Sequence, residues 1–416
     1  MRRNTGRDRA TTGERHVDVL VVGAGPAGLA AAAALAAGRD GRRIEVLDRE
    51  QQAGGVPRHC AHGGFGTWTR PLTGPAYARG LTETALRSGA VVRTGVTALG
   101  WAGPLALDTV SPDGVETITA RAVVLATGAR ERPRAARLVP GTRPAGVLTT
   151  GELQRTVHLH HRPVGTRAVI VGAEDVSYAA AATVRAAGAH VVAMVTDLPR
   201  AQTAPARAAD ARLRLGVPLL TGTTVTEILG HGRPTGVRVR HHDGRTTVLR
   251  CDTVVFTGDF LPDNELARRG QVALDPGTRG PAVDGSLRTG RPGVFAAGNV
   301  LHAVERAGTA AREGTLAARA VRAWLARADW PAGVPLLADP PLRWIAPNRV
   351  TPGDRHPYVL RTSAPLPRVL LTVSQDGRPL HEARFGPALP NRTLRLTARW
   401  TRRVDPGGGP VRVGVR

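Results

Sequence analysis

The chain has 416 residues, 42% of them hydrophobic, and a formal net charge of +24, which is long enough for two or three domains with their own cores. All 57 basic residues are arginine, so Schiff-base chemistry on a lysine, pyridoxal-phosphate catalysis included, is excluded. Only Cys60 and Cys251 are cysteines, and they stand in no metal-binding spacing, which excludes a zinc or iron–sulfur centre ligated by cysteines of this chain alone and predicts no metal site.

Residues 1–16 are basic and polar, without the apolar segment an export signal needs, and are expected to form a disordered tail. An apolar run follows at 17–22 and reads as a strand. Gly23-Ala24-Gly25-Pro26-Ala27-Gly28 comes next and opens into an alanine-rich helix over 29–37. This is the order a dinucleotide pyrophosphate requires. Gly23 makes the tight turn, Gly25 lets the backbone approach the phosphates, and Gly28 lets helix and strand pack closely. The helix start then offers free N–H groups and the positive end of its dipole. A second apolar strand, 44–47, ends in Asp48, about 20 residues beyond Gly28, where a carboxylate bonds ribose hydroxyls.

Residues 54–66 contain Gly54-Gly55-Val56-Pro57-Arg58-His59-Cys60-Ala61-His62. His59 and His62 read either as proton carriers or as capped core histidines. Cys60 reads either as a redox thiol or as a small buried hydrophobe. A strand at 117–124 ends in Leu125-Ala126-Thr127-Gly128.

The strand–turn–helix pattern returns at 167–188, followed by a strand at 190–196. Here Glu174 replaces the middle glycine and Ser177 the third. A carboxylate where a pyrophosphate must approach the backbone opposes NAD(P) binding, and Asp175 adds to the repulsion. The alternative is a relaxed motif that still binds NAD(P)H weakly. A strand at 252–256 ends in Thr257-Gly258-Asp259, and another ends in Ala297-Gly298-Asn299 before a helix near Gly308 and Thr309. Proline clusters near 331 and 340 lead into alternating stretches at 368–373, 393–397 and 411–415, read as a small β-rich domain serving packing or partner contact.

Two glycine motifs with Ala-Thr-Gly and Ala-Gly-Asn strand ends, in this order over residues 17–330, resemble the flavoproteins with two dinucleotide-binding domains, the glutathione-reductase-like fold. The segments at 54–66, 70–79, 126–134 and 146–151 are similar to alpha subunits of heteromeric amine and opine oxidases, the group of hydrogen cyanide synthase, opine oxidase and D-hydroxyproline dehydrogenase. The resemblance implies an α/β chain with two Rossmann-like domains, the second inserted in the first. FAD binding is expected of 17–150 with 283–330, a degenerate NAD(P)-binding-like domain of 151–282, and the β-rich domain of 331–416.

The resemblance further implies FAD held by Gly23, Gly25, Pro26, Ala27, Gly28, Asp48, Arg49 and Gly55. The remaining contacts fall to Thr127 and Gly128, to Gly298 and Asn299, and to the helix start at Gly308 and Thr309. Asn299 stands where the fold usually carries an acidic residue bonding a ribityl hydroxyl. The catalytic candidates are His59, Cys60 and His62. The expected role is electron transfer or amine oxidation beside a second flavoprotein subunit, with an electron acceptor and a small amine or amino-acid substrate. A stand-alone NAD(P)H-dependent flavin or thiol reductase using Cys60, or a non-catalytic flavoprotein-like scaffold, are the alternatives. The arginines are spread rather than clustered among aromatics, so nucleic acid is not an expected partner. No apolar run reaches membrane-spanning length, and cysteine usage fits a cytoplasmic protein, peripheral to a membrane at most through its partners.

Overall fold

The computed structural model describes residues 13–416 apart from 39, 215 and 304. The first sheet has five parallel strands in the order Val294–Ala296, Ala122–Leu125, Val19–Val22, Ile44–Asp48 and Val91–Thr94. The first four are mostly apolar runs, as suits a parallel sheet buried on both faces; Leu107 and Ile118 of a neighbouring, mainly antiparallel sheet join the same core. Helix α1 (Pro26–Ala36) follows the glycine turn with proline in its first turn.

The second sheet is also parallel, in the order Val147–Thr149, Thr253–Phe256, Arg167–Val171, His190–Val195 and Leu219–Leu220. Helix α2 (Asp175–Ala186) follows its glycine turn. The chain passes between the two units along an antiparallel pair, Ala129–Glu131 with Phe260–Pro262. The long helix α3 (Ala307–Arg327) returns to the first unit and packs on α1. Their backbones meet where a Cβ on Gly314 would lie 2.0 Å from the Ala27 carbonyl oxygen.

The division into units differs from the expected 151–282. Val147–Thr149 already belongs to the second sheet, while Leu266, Ala267 and Val272 bury into the first unit's core. The antiparallel pair at 129–131 and 260–262 is where the backbone changes unit. The expected disordered tail of 1–16 is also corrected for its last residues. Gly13–His16 forms a strand beside Gly114–Thr119, because Arg15 reaches Glu116 at 3.1 Å and the fully buried Glu45 at 3.7 Å. A buried carboxylate needs such partners. Residues 1–12 lie outside the described residues.

The C-terminal region forms a five-stranded sheet, in the order Arg349–Val350, Val334–Ala338, Val411–Val415, Val369–Gln375 and Arg378–Phe385. A three-stranded sheet of Leu342–Ala346, Tyr358–Thr362 and Leu394–Leu396 accompanies it. Its own core includes Tyr358, Leu371, Trp400 and Val411. It docks on the first unit, where Asn348 accepts a hydrogen bond from the Val283 N–H at 2.7 Å and Asp354 one from Gly285 at 3.1 Å. Among the described residues no helix is long and apolar enough to cross a membrane, and no three potential metal ligands lie together.

Candidate functional site

The first glycine turn is held by its own geometry. Gly23 has φ +108, and a Cβ there would lie 2.3 Å from the Ala126 carbonyl oxygen. A Cβ on Gly28 would lie 1.8 Å from the Gly23 oxygen. A Cβ on Gly25, in contrast, would meet nothing within 4 Å. The open side of the turn is therefore at Gly25, where α1 begins without a side-chain cap. The N–H groups of that helix start and the dipole behind them suit an anion.

The other expected residues gather around this turn. Asp48, at the end of its strand, accepts from the Ala24 N–H at 2.7 Å and from Glu50 at 2.9 Å. Burial pushes its carboxyl up, partly opposed by those two bonds. Arg49 is exposed and pairs with Asp263 at 3.5 Å. Gly54 donates to the Ala24 oxygen at 2.8 Å, and a Cβ on Gly55 would lie 2.9 Å from Gly25 Cα, so this loop runs directly over the turn. Thr127 donates to the Asp263 carbonyl at 2.6 Å, and Gly128 faces open space. Pro26 and Ala27 form the first turn of α1, and Ala27 is buried against the Gly298 and Gly314 backbone.

Gly298 adopts φ +82 and donates to Glu313 at 2.9 Å. The Asn299 amide turns toward residue 305: its oxygen accepts from the Glu305 N–H at 3.0 Å and its nitrogen donates to the Glu305 carbonyl at 3.3 Å. One acceptor position and one N–H of Asn299 remain for a ligand. Gly308 faces open space, and α3 starts at Ala307 with neither an acidic residue in its first turn nor a side-chain cap. Thr309 lies in that first turn and its hydroxyl accepts from Arg312 at 3.1 Å.

The three catalytic candidates lie on the loop over the turn, but in unlike surroundings. Cys60 is 7% exposed, with Sγ 3.4 Å from Gln154 Oε1 and 3.5 Å from the Val56 oxygen. Burial, then the nearby Glu131 charge, pushes the thiol up to about 12. It is thus a protonated, packed thiol at neutral pH, contrary to a redox-active thiolate. Cys251 is likewise buried, in the second unit's core, and pushed up to about 11. Burial and the Arg155 and Arg58 charges bring His59 down to about 4, so its imidazole is neutral across the physiological range. His62 is half-buried, its Nδ1 2.7 Å from the Gly63 oxygen and its ring 5.6 Å from Phe65. Iodoacetamide at pH 7.5 is therefore expected to leave both thiols unmodified in the native protein and to label both after denaturation. Fast native labelling of Cys60, read by mass spectrometry, would contradict this environment.

The second glycine turn is filled by its own chain. Glu174 Oε2 accepts from the Ala173 N–H at 2.9 Å, Oε1 from the Thr257 hydroxyl at 3.0 Å, and its own N–H donates to Ser177 Oγ at 3.2 Å. A Cβ on Gly258 would lie 2.0 Å from Glu174 Oε1. The carboxylate thus lies in the place at the start of α2 that a phosphate takes in an open turn. Residues 200–203 cross the same end: Gln202 donates to the Ala173 oxygen at 2.8 Å, and the Thr203 hydroxyl bonds Asp175.

Some of this was missed from sequence. Glu313 holds Gly298 and His302 from a buried position, and the signal was a carboxylate on the apolar face of α3 among Ala310, Gly314, Ala317 and Val321. Glu131 is half-buried in the pair of strands joining the units and accepts from the Gly151 N–H at 2.7 Å, with its carboxyl raised by desolvation. Nothing local in Ala129–Glu131 marks it.

Residues 17–314 match the family described as pyridine nucleotide-disulphide oxidoreductase. The chain is similar to sarcosine oxidase subunit alpha of Rhizobium meliloti, 31% identical over 61% of this chain and 25% of that protein. It is also similar to thioredoxin reductase of Mycolicibacterium smegmatis, 30% identical over 75% of this chain and 97% of that protein. Among solved structures, T. acidophilum thioredoxin reductase superposes with a TM-score of 0.63 at 26% identity, covering 74% of this chain and 98% of that one. The chain spans about a quarter of the sarcosine oxidase alpha subunit and nearly all of the thioredoxin reductases.

Proposed function

The chain belongs to the pyridine nucleotide-disulphide oxidoreductase family, and from that premise we propose that it is an FAD-dependent oxidoreductase, the electron-transferring or amine-oxidising subunit of a heteromeric amine or amino-acid dehydrogenase. The contrast between its two glycine turns carries the reading. The first leaves open space at Gly25 before an uncapped helix start. The second holds the Glu174 carboxylate in the equivalent place.

The residues present fit FAD. The α1 start and the backbone of Gly23, Gly25 and Gly28 would take the pyrophosphate, and Asp48 and Arg49 the adenosine side. Gly55, Thr127 and Gly128 would border it, and Gly298, Asn299 and the α3 start at Gly308 and Thr309 the flavin side. When bound, FAD supplies electron-pair uptake and release. The protein contributes position and charge: the α3 helix end, free of acidic residues, favours negative charge nearby. His59, kept neutral at pH 7 by burial and the neighbouring arginines, is suited to be an uncharged hydrogen-bond partner rather than to hold a proton.

A partner subunit is supported by the likeness to a sarcosine oxidase alpha subunit, whose name states both a multi-subunit assembly and an amine substrate. The arginine-rich surface would attract an acidic partner at low salt. The second reading, a stand-alone NAD(P)H-dependent reductase, rests on the likeness to whole thioredoxin reductases. Two buried, protonated thiols in different units give it no dithiol to work with.

Protein purified under mild conditions, or reconstituted with FAD, is expected to be yellow and to release about one FAD per chain on acid denaturation. Protein that stays colourless after reconstitution would remove the reading.

A further inference from the structure

Besides its contacts with residues 283–285, the C-terminal β-rich domain touches the first unit at the segment between Asn299 and α3. Glu305 lies there with its side chain only 7% exposed. Its carboxylate receives two groups from the β-rich domain: the Thr393 hydroxyl donates to Oε1 at 2.5 Å, and Arg361 Nη2 lies 3.6 Å from the same oxygen. Arg361, itself 8% exposed, sits 5.5 Å from the Trp344 ring, and the same ring stacks on His302 at 5.5 Å. His302 in turn bonds Glu313 at 3.1 Å, and Glu313 accepts from the Gly298 N–H. Glu305 is therefore gripped from outside through its side chain. From inside, its backbone is tied through both its N–H and its carbonyl to the amide of Asn299.

We propose that the β-rich domain is a clamp on the flavin loop, with Arg361 and Thr393 as positioning residues that act through Glu305 on Asn299. The proposal rests on the reading that Asn299 and the α3 start hold FAD. A buried carboxylate that loses its cation is left uncompensated and pulls its loop toward water. The Asn299 amide then loses its fixed orientation, and so does the start of α3. A domain that served packing alone would affect stability without touching the cofactor.

The test uses the full chain carrying Arg361→Met, Arg361→Lys, Thr393→Val, or Arg361→Met with Glu305→Gln. Three quantities are read: FAD dissociation constant by flavin fluorescence, visible circular dichroism of the bound flavin, and melting temperature without FAD. Arg361→Met is expected to weaken FAD at least tenfold and to alter the flavin dichroism. Thr393→Val should shift both in the same direction by a few fold. Arg361→Lys and the double variant should recover part of the loss, because each restores charge balance at residue 305. FAD affinity within twofold of wild type in folded Arg361→Met and Thr393→Val protein would overturn the clamp and leave the FAD reading standing. Failure of the wild-type chain itself to bind FAD would overturn both. Should Arg361→Met not fold, Thr393→Val decides alone: FAD affinity within twofold of wild type overturns the clamp, and a loss of a few fold supports it.

Discussion

Valine at position 28 is expected to abolish FAD retention and to destabilise the first unit by roughly 3 kcal/mol or more, in the range of severe steric lesions. A Cβ there would stand 1.8 Å from the Gly23 carbonyl oxygen and 3.2 Å from Val21 Cγ1. The core of a parallel sheet cannot shift to accept this without separating α1 from its strand, because interiors are packed to crystal-like density. The informative partner is Gly25→Ala. Its methyl would meet no protein atom within 4 Å, so the apo protein should melt within a degree or two of wild type. FAD binding should nonetheless fall by at least tenfold, because the methyl projects to the side of the turn the pyrophosphate would take. Thermal melts with and without FAD separate the two effects. Equal FAD affinity in Gly25→Ala and wild type would mean that the open face of the turn is not the cofactor face.

Glu174→Gly is expected to act in the opposite sense, by gain. A carboxylate about 4 Å from a pyrophosphate charge costs on the order of 4 kcal/mol near a protein surface. Its removal should therefore raise NAD(P)H affinity at least tenfold, with residues 200–203 still crossing the turn and limiting the gain. The substitution also strips partners from the Ala173 N–H and the Thr257 hydroxyl. Loss of about 1–2 kcal/mol of stability is expected for those groups. Inorganic pyrophosphate should restore part of it in the variant and none in wild type, read as melting temperature. A variant indifferent to both pyrophosphate and nicotinamide nucleotide would show that Glu174 fills no phosphate position.

Much of the fold was legible because its signals are local. The strands Val19–Val22, Ile44–Asp48 and Arg167–Val171 are short, mostly apolar runs, and each glycine turn follows its strand directly. The contrast between Gly25 and Glu174 could also be read, since both lie at fixed offsets from a strand end. What could not be read depends on contacts distant in sequence. The polar strand Gly13–His16 exists because of Glu116 and Glu45, neither near it in the chain. The protonated state of Cys60 comes from burial and from Glu131, 71 positions further on by residue number. The loop at 200–203 closes the second turn through a backbone bond to Ala173 that no motif announces. The unit boundary was displaced for the same reason: residues 263–282 carry only a short helix, Glu265–Arg269, but Leu266, Ala267 and Val272 find their burial in the first core.

The division of labour between an open first turn and a filled second one is tested most directly without oxygen. NADH or NADPH at roughly 1 mM, the upper end of usual KM values, is added to the FAD-loaded wild-type chain alone, and the flavin absorbance is followed. The band is expected to persist for minutes, while dithionite reduces it at once. Rapid bleaching by either nucleotide would contradict a second site closed by Glu174.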